Sequence, residues 1–226
     1  MDDYLTEQEQ WERVKAFLKS NGAWIVGGVI IGALALYGWQ WYGKHQDRVA
    51  LEAADQYQAV ITAFEKRDRT GALALVAQLK EKHPSSPYAD QADMLSARVF
   101  VESNELDKAA ERLRHVMDSS KDHELALVAR LRLARVLLSQ GKPDDAIATL
   151  NKTDLGAFEP RFKEVRGDAY FAKGDKAAAL REYEAARKSG SSEALDTQLL
   201  DLKIKDLSGA VAATREPATA SAVESK

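Results

Sequence analysis

Four histidines, His45, His83, His115 and His123, are the side chains in this 226-residue chain best suited to metal binding or proton transfer. Their spacing matches no ligand pattern: they form no HExxH pair, and the chain has no cysteine to join them. The lack of cysteine also excludes disulfides, zinc ribbons and thiol catalysis. No glycine-rich phosphate loop occurs, because Gly141-Lys142 and Gly174-Asp175 read as isolated turns. Carboxylates are abundant, but solvated acids on helices are ordinary, and no acid–base pair stands out. The expected chemistry is recognition rather than catalysis, with no enzyme activity and no cofactor.

The charge balance narrows what could be recognised. The chain carries 32 Lys and Arg against 35 Asp and Glu, a formal charge of −3. Residues 1–42 hold five acids and three bases, which leaves 29 bases and 30 acids in the remainder. A nearly neutral remainder argues against a nucleic-acid surface, which needs a basic excess on one face.

The elements that would position a recognition surface emerge from self-similarity. "RLRLARVLLSQGKPDDAIATL" and "EVRGDAYFAKGDKAAALREYEAA" align at a constant offset of 33 residues. Ala134 meets Gly167, Leu137 meets Tyr170, Gly141 meets Gly174, Ala146 meets Ala179 and Leu150 meets Tyr183. That offset is close to the 34 residues of a tetratricopeptide repeat. The small residues let paired antiparallel helices approach, and the larger ones fill the remaining space. Glycine suits the tight turn because positive φ carries little penalty there. A third copy lies upstream, with Ala97, Phe100, Asn104, Ala109 and Leu113 in the same roles; its longer spacing is absorbed around "DSSKDHE". A degenerate fourth unit covers "ADQYQAVITAFEKRDRTGALALVAQLKEKHPSSP", whose Pro84-Ser85-Ser86-Pro87 ends one helix and releases the next. Residues 192–206 read as an amphipathic helix capping the stack, and residues 208–226 as a disordered tail.

In such repeats the first helix of each pair lines a concave groove. The groove positions are Met94, Arg98 and Val101, then Leu131, Arg135 and Leu138, then Glu164, Asp168 and Phe171. The third member of each triplet is apolar, a stripe suited to an extended or helical segment. The alternative is that the C-terminal helix or a neighbouring repeat covers that stripe.

A second feature stands apart from the repeats. "AWIVGGVIIGALALYGWQWY", residues 23–42, contains no charge. Twenty residues at helical rise span roughly 30 Å, the thickness of a bilayer core. Trp24 at one end and Tyr37, Trp39, Trp41 and Tyr42 at the other form aromatic rims, as expected of a transmembrane helix and not of a soluble core helix. Ala33-Leu34-Ala35 resembles a signal-peptidase site, but the apolar run continues beyond it and the preceding segment is long and acidic. An uncleaved anchor is therefore expected. The lysines and arginines flanking the run favour an inside N-terminus only slightly. Gly28 and Gly32 form a small-xxx-small pair, a candidate surface for packing against another span. Ahead of the span, Thr6 and Glu9 read as a capping box. Trp11, Val14, Phe17 and Leu18 form one apolar face, and Asn21-Gly22 reads as a left-handed stop. This arm either docks a partner or rests on the membrane surface. No Pro or Gly interrupts residues 44–67, so the span can run on into the first repeat helix.

The expected organisation is all-α: an arm at 1–22, a transmembrane helix at 23–42, a tetratricopeptide-like α-solenoid at 43–207 and a tail at 208–226. With "VKAFLKSNG", "GGVIIGALALYGWQWYGKHQ" and the degenerate repeats in place, the chain resembles the YfgM family of ancillary subunits of the bacterial Sec translocon. The resemblance stops at Leu207. It implies a single-pass protein of the bacterial inner membrane, with the N-terminus cytoplasmic and the repeat domain periplasmic. It also implies association with SecYEG and the membrane-anchored chaperone PpiD, helping exported client proteins reach periplasmic chaperones. A further implication is restraint of a stress-response regulator on the cytoplasmic side.

Overall fold

A computed structural model of the chain describes residues 7–151, 154–189 and 196–215, with every described element helical. The chain divides into two compact units, Met1–Asp55 and Gln56–Lys226. The described part of the first unit is wholly within helix α1, Glu7–Glu65. Its apolar side chains face outward: Trp24 and Trp39 are each 84% exposed, and no residue of the apolar run is buried. This is the one described helix long and apolar enough to cross a membrane.

Helix α1 corrects one expectation. It runs unbroken through Asn21-Gly22, where the sequence predicts a left-handed stop. The Asn21 amide donates to the Phe17 carbonyl at 3.2 Å and the Ser20 hydroxyl to the same carbonyl at 3.1 Å. These polar groups are thereby satisfied on the helix's own preceding turn. Thr6, half of the expected capping box, lies outside the described residues.

In the second unit the helices after α1 are α2 (Arg69–Lys82), α3 (Pro87–Glu102), α4 (Leu106–Ser119), α5 (His123–Ser139) and α6 (Pro143–Leu150). A 3₁₀ turn (Gly156–Phe158) leads into α7 (Glu159–Lys173), α8 (Lys176–Ser189) and α9 (Thr197–Arg215). From α2 onward each helix packs on its successor, and α5 also packs on α7. This is the nearest-neighbour pattern of a stacked-repeat solenoid. The starts are locally encoded. Asp68, Ser86 and Asp122 accept from backbone N–H groups in the first turns of α2, α3 and α5. Pro87 and Pro143 sit at positions where a missing N–H is harmless.

The repeat reading holds in detail. Ala97, Ala109, Ala134, Ala146, Gly167 and Ala179 are all buried where paired helices meet. Phe100, Leu113, Leu137, Leu150 and Tyr183 fill the space around them. Asn104, Gly141 and Gly174 all adopt positive φ, at 58°, 72° and 90°. Each makes the same double bond: its own N–H reaches back three residues and the next N–H reaches back five, as in Glu105 to Phe100, Lys142 to Leu137 and Asp175 to Tyr170. Arg67 forms a fourth such turn, with φ 60° and the Asp68 N–H bonded to Ala63. Left-handed geometry costs a side chain about 1–2 kcal/mol; glycine escapes that cost but forfeits part of the gain through its extra freedom in the unfolded chain. Arg67→Gly is therefore expected to stabilise the domain by about 0.5–1 kcal/mol, read as a higher Tm. A lowered Tm would show that the Arg67 side chain contributes more than its backbone costs.

The C-terminal end differs from expectation. Residues 190–195 lie outside the described residues, and the capping helix begins at Thr197. It then continues through Arg215, past the boundary at Leu207 where a disordered tail was expected. Ala210, Ala212 and Ala213 are strong helix formers, and the Ser208 hydroxyl is satisfied on Ile204 O at 2.7 Å. Residues 216–226 lie outside the described residues. Leu200, Ile204 and Leu207 close a separate small core with Ala179, Tyr183 and Ala186 of α8.

Candidate protein-interaction groove

The nine groove positions read from the sequence do not behave as one surface. On α3, Met94, Ala97, Arg98 and Val101 recur at helical spacing and face the same way. With Leu113 of α4 and Arg132, Arg135 and Val136 of α5 they line a groove of about 370 Å³. Met94, Ala97, Leu113 and Val136 are buried and make its floor, while Val101 is 43% exposed at its lip. The rim is charged: Arg98 pairs with Glu102 at 2.9 Å, and Arg132 and Arg135 stand beside them. Met94, Arg98, Val101 and Arg135 are therefore brought together in this groove.

Leu131 is buried in the domain core, and Leu138 packs against that core instead of lining the groove. The third triplet is divided: the capping helix meets its two carboxylates, while Phe171, its member of the apolar stripe, stays exposed. Lys203 of α9 reaches Asp168 at 2.7 Å and Glu164 at 3.7 Å, so the capping helix lies over these two carboxylates. Asp168 also accepts from the Tyr183 hydroxyl at 2.6 Å. Burial, and then that hydrogen bond and the Asp168 charge, push the Tyr183 phenol well above its ordinary range. It stays a neutral donor. Phe171 remains 49% exposed at the edge of a smaller cleft with Lys203 and Leu207.

Sequence reasoning missed Arg132, Glu102 and Val136. Arg132 was readable, because it precedes Arg135 by three residues and so shares its helix face. It also missed Asp93, a carboxylate with no exposed surface that is held by Lys80 at 2.6 Å, Arg112 at 3.0 Å and His115 at 3.2 Å. These partners come from α2 and α4, so no local spacing announces them. The histidines do not converge. His83 lies beside Gln56, His123 faces Asp154 at 3.7 Å, and His45 stacks on Trp41.

Comparison with known proteins bears on the fold and the family. Residues 15–209 match the model of a tetratricopeptide repeat-like domain. A protein of Escherichia coli K12 is 34% identical over 92% of this chain and 100% of its own length. One from Neisseria gonorrhoeae is 30% identical, covering 92% and 100%, and one from Haemophilus influenzae is 29% identical, covering 90% and 98%. All three carry the name ancillary SecYEG translocon subunit. Among solved structures, a kinesin light chain with TPR-like repeats from Podosopora anserina superposes with a TM-score of 0.52 at 16% identity. The match covers 71% of this chain and 87% of that one. It is a likeness of fold alone.

Proposed function

The chain belongs to the tetratricopeptide repeat-like family whose curated members are ancillary SecYEG translocon subunits, and on that premise we propose that it is a membrane-anchored interaction module working beside the Sec translocon. In this reading residues 23–42 cross the bacterial inner membrane once, with the arm cytoplasmic and the repeat domain periplasmic. The domain meets SecYEG and the anchored chaperone PpiD, and helps pass newly exported proteins to periplasmic chaperones.

The observation that carries the proposal is an outward-facing apolar run on the same chain as a solenoid with an open groove. The span itself supports a contact role. A Cβ added at Gly28 or Gly32 would meet nothing within 4 Å, so this chain's own packing does not require glycine there. Each glycine costs about 1 kcal/mol of helix propensity relative to alanine, a cost that a neighbouring span could offset by close approach. Translocon subunits are expected to co-purify with the detergent-solubilised protein, less with Gly28→Leu/Gly32→Leu, and not after deletion of residues 23–42. Undiminished co-purification after that deletion would overturn the reading.

The arm favours a second role. Trp11, Val14, Phe17 and Leu18 are all exposed, so their shared face is free to hold a cytoplasmic stress-response regulator. Removal of residues 1–22 would then release the regulator while translocon co-purification survives. Loss of both together would refute this second role.

A further inference from the structure

We infer that the groove between α3 and α5 receives an acidic segment of a partner polypeptide, seating an apolar side chain on its floor and carboxylates on Arg132 and Arg135. The inference rests on the reading of the domain as a protein-interaction module and adds the chemistry of what it accepts.

The charge pattern carries the argument. Arg132 and Arg135 line the groove three residues apart on one helix, where like charges repel. Neither guanidinium has an ion-pair partner among the described residues. Elsewhere in the domain Lys80, Arg112, Arg166 and Lys173 each reach a carboxylate within 3.0 Å. Among the described residues Glu102 is the only acid lining the groove, and it is already engaged by Arg98. The rim is thus basic in a chain whose net charge is −3.

The floor adds the second requirement. Met94, Leu113 and Val136 form an apolar base, and Val101 exposes apolar surface at the lip. An acidic side chain alone would leave that surface wet, and an apolar segment alone would leave two arginines without partners. A segment that alternates large apolar residues with Asp or Glu satisfies both. Arginine's planar fork is suited to bidentate carboxylate contact, which makes such a pairing directional. Because the rim is exposed, the electrostatic part should weaken with added salt.

The test uses the full-length protein in detergent micelles and three labelled, C-terminally amidated peptides. They share their apolar residues and carry Glu, Gln or Lys at the intervening positions. Fluorescence anisotropy is expected to show the Glu peptide binding about tenfold or more tighter than the other two, a preference that fades with salt. Arg132→Glu/Arg135→Glu should reverse the order. Val101→Ser should weaken all three peptides while leaving the order intact. Both substitutions lie on exposed side chains, and an unchanged Tm confirms that folding is retained. Equal affinities, or a preference that survives Arg132→Glu/Arg135→Glu, would overturn the inference. So would binding to phosphatidylglycerol vesicles that requires the two arginines while peptide order is flat, since the occupant would then be lipid. An increase of about tenfold in peptide affinity on deleting residues 216–226, which include Glu216 and Glu224, would make the chain's own tail the occupant and equally overturn it. Translocon co-purification, measured on the same variants, separates the two readings. Its absence with an intact peptide order defeats the module beside the translocon and leaves the groove chemistry standing.

Discussion

Gly167→Ala is expected to destabilise the repeat domain by about 1–3 kcal/mol, although alanine is the better helix former by about 1 kcal/mol. The reason is the distance at which α7 and α8 cross. A Cβ on residue 167 would stand 2.5 Å from both Cδ1 and Cε1 of Tyr183 and 3.1 Å from its Cζ. The ring has little room to retreat: it is 2% exposed, its hydroxyl is held by Asp168, and the Lys203 ammonium lies 5.2 Å from its centroid. Either the helices separate or the ring abandons its hydrogen bond, and both outcomes exceed the gain in propensity. For a domain of this size each kcal/mol lowers Tm by about 2–4 °C. Gly167→Ala with Tyr183→Leu should recover part of the loss, because the smaller side chain vacates the space that the methyl needs. A Tm for Gly167→Ala equal to the parent's would show that close approach at this crossing is not what the glycine provides.

Asp93→Ala is expected to cost about 3 kcal/mol, the lower end of what breaking a buried ion pair costs. Asp93 has no exposed surface and accepts from Lys80 and Arg112, with His115 at 3.2 Å. Removing it leaves two half-buried cations without their partner at the junction of α2, α3 and α4. Lys80 and Arg112 keep 24% and 31% of their side-chain exposure, so they can turn partly to water, which places the cost at the lower end. By contrast, Arg98→Ala should change stability by less than about 1 kcal/mol, because Arg98 and Glu102 are 70% and 57% exposed. A combined Lys80→Met, Asp93→Leu, Arg112→Met variant should lie close to the parent, since apolar packing replaces a buried ionic cluster with little net loss. Urea unfolding monitored on all three variants checks the set. If Asp93→Ala and Arg98→Ala cost the same, burial is not what gives the Asp93 cluster its value.

Most of the architecture was legible because it is encoded by short-range rules. The turns at Asn104, Gly141 and Gly174 require residues that tolerate positive φ, and the small residues at Ala97, Ala134 and Gly167 mark where helices touch. Both recur at fixed spacing, so one sequence exposes them. The uncharged run of residues 23–42 is equally local, since its length and its aromatic rims are read without neighbours. Local rules also misled at Asn21-Gly22, where a turn dipeptide sits inside a continuous helix, and at Arg67, where an arginine takes the turn that glycine would mark.

The sequence by itself therefore determined an all-helical repeat domain, the positions of its turns at Asn104, Gly141 and Gly174, and an outward-facing apolar helix. Only the tertiary structure decided which groove positions are open. Met94, Arg98, Val101 and Arg135 meet across α3 and α5, whereas Glu164 and Asp168 lie beneath Lys203 of α9, thirty-five or more residues away along the chain. The same holds for Asp93, whose three partners lie on two other helices. Helical spacing fixes the face on which a side chain sits, but what covers that face depends on contacts between elements far apart in sequence. Those contacts exist only once the helices have stacked.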